Sequence, residues 1–379
     1  MAGSIGHTTR VASVGSTSRA VVDERGLVTP HPRGWSLDWW IGADDRWHLP
    51  ATDTGVRQQL FERGPVVETA MRVPGGDAVQ RVYAVPAGGD DLVVVEIENR
   101  SPVPFAVALA VRPRLKRVRM QGTTVLVDRR PALLLPKAPA RMAASTAKDG
   151  DVVDVVTGGA AGTALPDRFR CRARGGTAAF LFPLAHTAVL RVAIPLSARA
   201  AVHAPTPLPP SAQVAKGWSV QADRGMRFEL PESRLADAVE ANRRYLLMAP
   251  AANGRGRQAD ATFERLQARL DAASPTFTWP DDDGAGFVSL VAGALVRETA
   301  DGLALCPELP EAWAHQGLEA YEVPTRFGVV SFAVRWHGEH PALLWEVDGE
   351  DGGRPVRITA PGLHPSWSTT ERRGEALLS

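Results

Sequence analysis

The sequence predicts a mainly β chain: a large N-terminal antiparallel β-sandwich, a short α insert and a small C-terminal β-domain. Three observations carry this. Apolar residues alternate with small or polar ones through the first half, as Phe105, Val107, Leu109 and Val111 do with Ala106, Ala108 and Ala110. Turn signals such as Pro74-Gly75-Gly76-Asp77 and Gly88-Gly89-Asp90 recur at short intervals. Helical spacing of apolar residues sets in after Pro231 and ends near Asp301.

From about residue 9 to 203 the pattern is short strands and turns. Val93, Val95 and Ile97 face one way, and Glu96 and Glu98 the other. Further apolar runs lie at Val125–Val127, Leu133–Leu135, Phe180–Phe182 and Val189–Ile194. No helix is expected among them, which is the pattern of a sandwich. Residues 204–210, Ala-Pro-Thr-Pro-Leu-Pro-Pro, read as a stiff linker or edge segment, followed by one more extended piece at Arg227–Leu230. Pro231-Glu232 suits a helix start, where a missing N–H costs nothing and a carboxylate meets the positive end of the dipole. Leu235, Val239, Asn242 and Leu246 follow at helical spacing. A second helix is expected around Ala259–Ala272, with Phe263, Leu266 and Leu270 on one face, after a glycine-bearing loop over 251–257. Phe287, Leu290, Val291, Ala294 and Leu295 predict a third around Gly286–Arg297. Strands return from Leu303, where Val330, Phe332, Val334 and Trp336 alternate with Val329, Ser331, Ala333 and Arg335. Leu343, Trp345 and Val347 form their partner across the turn at His337–Pro341. The expected domains are therefore 1–230, 231–301 and 302–379.

Lys and Arg number 43 against 42 Asp and Glu, so net charge gives no reason to expect nucleic acid or an anionic membrane as partner. The local exception is Arg112, Arg114, Lys116, Arg117 and Arg119, either the solvated face or end of a strand or a phosphate-binding patch. Cys171 and Cys306 are the only cysteines; they lack metal-ligand spacing and, as two reduced thiols, fit the cytoplasm. Met1–Val14 has no apolar core for a secretion signal, and no apolar stretch is long enough to span a bilayer. A soluble, cytoplasmic protein without a membrane partner is expected.

The order of parts, together with several short motifs, resembles a known superfamily. Pro231-Glu-Ser-Arg-Leu-Ala-Asp-Ala-Val-Glu-Ala-Asn-Arg-Arg-Tyr-Leu-Leu247 looks like a first barrel helix. Ser274-Pro-Thr-Phe-Thr-Trp-Pro280 with Phe287–Glu298 looks like the loop and helix that close such a barrel. Leu303–Trp313, Pro324-Thr-Arg-Phe-Gly328 and Arg335-Trp-His-Gly338 look like the sheet that follows it. In this the chain resembles the six-hairpin glycosidases, the group of glucoamylases and maltose and cellobiose phosphorylases. That resemblance implies a β-sandwich before an (α/α)6 barrel. Residues 231–301, shared among twelve helices, would leave about six residues each, where globular helices average about eleven. About three helices fit, as the start and end of a barrel whose middle is missing.

Glycoside hydrolysis generally needs two carboxylates across the scissile bond. In the superfamily the proton donor lies in the missing middle. The second carboxylate would fall in Trp279-Pro280-Asp281-Asp282-Asp283, with Asp281 as the candidate. Relatives more often carry Glu there, so Asp281 reaches one methylene less far; the three aspartates also suit a solvated loop or a helix N-cap. Trp39, Trp40, Asp44, Asp45, Arg46, Trp47 and His48, with Trp279, are the candidate substrate-binding residues. Aromatic planes beside carboxylates are what sugar recognition uses. Alternatively Trp39 and Trp40 straddle a strand and Asp–Arg pairs pin a loop. No metal site and no cofactor is expected, because neither His48 nor the pair His337 and His340 has ligands at suitable spacing. Three functions remain open. The chain is a non-catalytic relative of carbohydrate enzymes with weak glycan binding, a minimal glycoside hydrolase or phosphorylase, or a protein that forms homo-oligomers or docks a partner through exposed helical faces.

Overall fold

The computed structural model describes every residue except 1–6, 32–33, 88–89, 167–168, 172–174, 197–206, 249–261, 280–283 and 350–354. Strands take 45% of the chain and helices 18%, which makes it mainly β with a short helical insert. It divides into two compact units, Met1–Gly217 with Leu247–Ala251, and Trp218–Leu246 with Ala252–Ser379.

The first unit holds two eight-stranded sheets, antiparallel throughout the described residues. One is centred on Ser36–Gly42, Phe105–Leu115 and Gly176–Leu184; the other on Val189–Pro195, Asp90–Asn99 and Gly76–Ala87. Val107, Leu109 and Val111 of the first sheet and Val93, Val95 and Ile97 of the second belong to one buried core, so the two sheets form a sandwich. The alternate residues are not solvated. Ala108, Ala110 and Ala179 are fully buried on the outer face of the first sheet. Their small side chains leave room for a short helix, α1 (Val152–Thr157), whose Val152 and Val156 pack there beside Trp40. Asp151 caps α1 by accepting the Val153 N–H at 3.2 Å.

No helix was expected in this stretch, and α1 is a first correction. Its two turns are too short to give a period in the sequence. A second helix, α2 (Ser211–Ala222), follows directly on the proline run, in a stretch where no element was expected, and the extended piece expected at Arg227–Leu230 is the strand Arg227–Glu229. The buried apolar positions of α2 are Ala215, Trp218 and Ala222, two of them alanines, so its apolar stripe is nearly silent in sequence. The first turn of α2 lies against the outer face of the second sheet. There Glu96 accepts from the Ser211 hydroxyl at 2.7 Å and from the Ser211 N–H at 3.3 Å. Thus a strand supplies the carboxylate that a helix N-terminus attracts.

The second unit contains the expected helices as α3 (Ser233–Leu247, within this unit to Leu246), α4 (Phe263–Asp271) and α5 (Gly284–Leu295). A five-stranded sheet runs through Gly328–His337 and His340–Asp348, and a four-stranded sheet pairs Gly302–Leu305 in parallel with Arg357–Ala360. Leu235 and Val239 of α3, Leu266 and Leu270 of α4, and Phe287, Leu290 and Val291 of α5 share one buried core with Phe332, Val334 and Leu343. Most of the apolar stripe of each helix is therefore covered within the unit, while Leu246 at the end of the α3 stripe stays exposed. Asn242, which the helical spacing places on the same face, donates from its side-chain amide to the carbonyls of Ala238 (2.8 Å) and Phe277 (3.1 Å). Among the described residues no helix is long and apolar enough to cross a membrane.

Candidate functional site

The aromatic and acidic cluster of the first unit lies on Ser36–Gly42 and on the short strand Trp47–His48 that pairs back on it. Strand alternation sends Trp39 and Trp40 to opposite faces, Trp39 into the sandwich core and Trp40 under α1. Both are fully buried, so neither indole offers a face to a sugar. The Trp39 Nε1–H donates to the Arg25 carbonyl at 3.2 Å. Trp47 is half-buried, its ring lying over Gly42, where a Cβ would come within 3.0 Å of it.

Asp44, Asp45 and Arg46 form the exposed turn between these strands. His48 is buried between two carboxylates, with Nε2 2.9 Å from Asp45 and Nδ1 3.0 Å from Asp53. Arg46 reaches the same Asp53 oxygen at 2.9 Å, and the other Asp53 oxygen accepts the Gly55 N–H at 2.9 Å. The His48 ring holds the Asp45 carboxyl below its usual range. For Asp53 burial opposes ionisation, but the Gly55 N–H, His48 and Arg46 together prevail and hold the carboxyl low. Sequence reasoning stopped at His48 and missed Asp53. The signal was there, since Asp two residues before Gly is a common side-chain-to-backbone turn. Arg25 was missed as well; its guanidinium donates to the Asp53 carbonyl at 2.7 Å, a contact that no sequence spacing announces.

Asp53→Ala leaves Arg46, His48 and the Gly55 N–H without their acceptor and should cost about 1–3 kcal/mol at neutral pH. Because the folded carboxyl is depressed, this contribution is present above the unfolded value of about 3.9 and is lost as pH falls through the folded one. Thermal melts of both proteins at pH 7 and pH 3 should accordingly show a gap that narrows in acid.

Beside this turn Asp44 and Arg141 rim a shallow depression of about 370 Å3, with Pro104, Leu181 and Pro183 among its apolar lining. In the second unit Trp279 is buried. Its Nε1–H donates to the Arg269 carbonyl at 2.8 Å, and its ring lies 4.8 Å from that of Phe287. It is therefore a core residue of that unit. Asp281, with Asp282 and Asp283, lies outside the described residues. Glu232 and Glu264 line a separate cavity of about 330 Å3 with Phe263 and Trp313. Among the described residues no three His, Cys, Asp or Glu side chains gather as a metal ion would require.

No protein-family model and no curated protein matches the chain. Among solved structures the chain is similar to a bacterial glucoamylase complexed with acarbose, at 9% identity and a TM-score of 0.37. That likeness covers 65% of this chain and 42% of the glucoamylase chain.

Proposed function

We propose that the chain is a non-catalytic protein derived from a carbohydrate enzyme, and that it binds glycans weakly at the Asp44 turn. The observation that carries the reading is the helical segment. Among the described residues of 231–301 there are three helices, α3 to α5, closed with the C-terminal sheets into one apolar core. The superfamily that the sequence resembles houses its proton donor in the middle of a twelve-helix barrel, and this segment has no length for one. Weak binding is supported by the Asp44 and Arg141 rim, a carboxylate and a guanidinium over an apolar floor. Such groups suit sugar hydroxyls and the apolar faces of a pyranose.

Calorimetric titration of the purified chain with malto- and cello-oligosaccharides should give a Kd of about 1 mM, a free energy near 4 kcal/mol. Asp44→Ala should abolish the signal, and prolonged incubation should release no reducing sugar. Absence of binding to every oligosaccharide would remove the glycan half of the reading. Turnover abolished by Asp281→Asn or Glu232→Gln would overturn the non-catalytic half and favour a minimal hydrolase.

A further inference from the structure

A cavity of about 820 Å3 in the first unit shares no lining residue with the depression at the Asp44 turn and has the size of a small-molecule site. Its lining brings together Lys116, Arg117, Arg129, Arg130, His31 and Trp35, with Asp128 as the one acid among the described residues that line it. These residues come from distant parts of the chain, and a tight turn assembles them. Val127 pairs with Arg130 across a two-residue hairpin, in which Asp128 (φ 49°) and Arg129 (φ 73°) both adopt left-handed backbone. Such a turn ordinarily takes Asn-Gly, and an arginine there carries a conformational cost. Asp128 then clamps the turn to the preceding segment. Its Oδ1 accepts the N–H groups of Lys116 at 3.0 Å and Arg117 at 2.9 Å, and its own N–H donates to the Arg117 carbonyl at 3.0 Å.

The acid in the cleft is thus already engaged by backbone, whereas the four cationic side chains make no ion pair or hydrogen bond with any described residue. Elsewhere in the unit arginines are matched: Arg57 to Asp77, Arg191 to Glu96, and Arg112 to Asp38 and Asp151. A net charge of +1 gives no compositional reason for four unmatched cations around one cavity. Partial desolvation, and after it the neighbouring Arg130 charge, lower the His31 pKa, so Arg130 is close enough to His31 to be felt there. The basic run read from the sequence is resolved accordingly. Arg112 serves Asp38 and Asp151, while Lys116 and Arg117 turn to the cavity.

We propose that this cleft binds a small phosphate or sulfate ester, the oxyanion held by Lys116, Arg117, Arg129 and Arg130 and the carrier ring set against half-buried Trp35. Guanidinium forks match tetrahedral oxyanions bidentately, and a lysine adds a point charge. The inference does not rest on the glycan reading.

Titrating the full chain at low salt with inorganic pyrophosphate, glucose 6-phosphate, glucose 6-sulfate and glucose tests it. Pyrophosphate and at least one of the two esters should bind, and glucose should not. The preferred ester tells phosphate carriers from sulfate carriers. K116Q/R130Q should weaken binding at least about tenfold, the loss expected for charge-assisted bonds, with an unchanged melting temperature. R130Q alone, a change on an exposed side chain, should weaken it in the same direction if the double variant folds poorly. Asp44→Ala should leave it untouched, which separates this site from the glycan turn. Three results would overturn the proposal: no heat beyond that of sodium chloride, affinity undiminished in R130Q, or tighter binding of a single-stranded oligonucleotide than of either ester.

Discussion

Arg81→Met should lower the stability of the first unit by roughly 3–5 kcal/mol, the cost of leaving buried charges without their partner. Arg81 is 5% exposed and holds three carboxylates together. It lies 2.8 Å from Glu68, 3.1 Å from Glu96 and 2.9 Å from Glu98, with its guanidinium 4.7 Å above the centre of the Phe61 ring. Glu68 and Glu96 are buried too, so methionine would fill the volume and abandon two carboxylates in a poorly solvated place. Arg191, at 2.7 Å, would remain for Glu96, and the Gln59 amide, at 2.8 Å, for Glu68.

The sign of the pH dependence follows from Glu98, whose depressed carboxyl owes part of its shift to Arg81, whereas Glu96 keeps Ser211 and Arg191 in the variant. Burial disfavours charge on Glu96, yet Ser211 and Arg191 outweigh it and hold its carboxyl below the ordinary value. For Glu98 burial is likewise outweighed, by Arg100 and Arg81. Depressed carboxyls stabilise the fold above their unfolded pKa of about 4.3, and the benefit disappears as pH falls through the folded value. Urea unfolding of wild type and Arg81→Met should therefore differ most near pH 7, with the gap narrowing once pH falls below about 4.3 toward the lower folded value. A constant difference across that range would mean that the loss is one of packing alone.

Trp39→Ala is expected to be as damaging, about 3–5 kcal/mol, through lost transfer energy and the cavity it leaves. The side chain has no exposed surface, and its Nε1–H meets the Arg25 carbonyl. Gly26, at φ 83°, comes so near that a Cβ there would lie 2.8 Å from Nε1. Little of the surroundings can collapse into the void. Trp47→Ala, half-buried at the turn, should cost clearly less while disturbing any glycan affinity at Asp44. Melting temperature and oligosaccharide titration on the two variants separate the structural tryptophan from the accessible one. Equal thermal losses would contradict the difference in burial.

The mainly β class and the three-helix insert were legible because period-2 and period-3.6 patterns are local. Phe287, Leu290 and Val291 declare a helix by themselves, whatever they later pack against. What stayed hidden was long-range or nearly pattern-free. The alanines at 108 and 110 gave the alternation of a strand but not the helix that covers them. In α2 the buried residues other than Trp218 are too small to mark a face. Trp39 and Trp40 were visible as neighbours on a strand, and strand geometry explains why both ended buried on opposite sides. The cluster at the anion cleft could be read only as a run from Arg112 to Arg119. His31, Trp35 and the Asp128-Arg129 turn join it through folding, and no spacing connects them beforehand.

The Glu96 carboxylate at the start of α2 also bears on the time course of folding. The two residues are 115 positions apart, so the anchor of that helix is absent until distant strands have paired. With Gly217 in its middle, α2 has little intrinsic tendency to form alone. It should consolidate after the transition state, so that changes within it speed unfolding and leave the refolding rate nearly untouched. A ribosome-bound chain would meanwhile present 211–222 as an unstructured tail behind an assembling sheet.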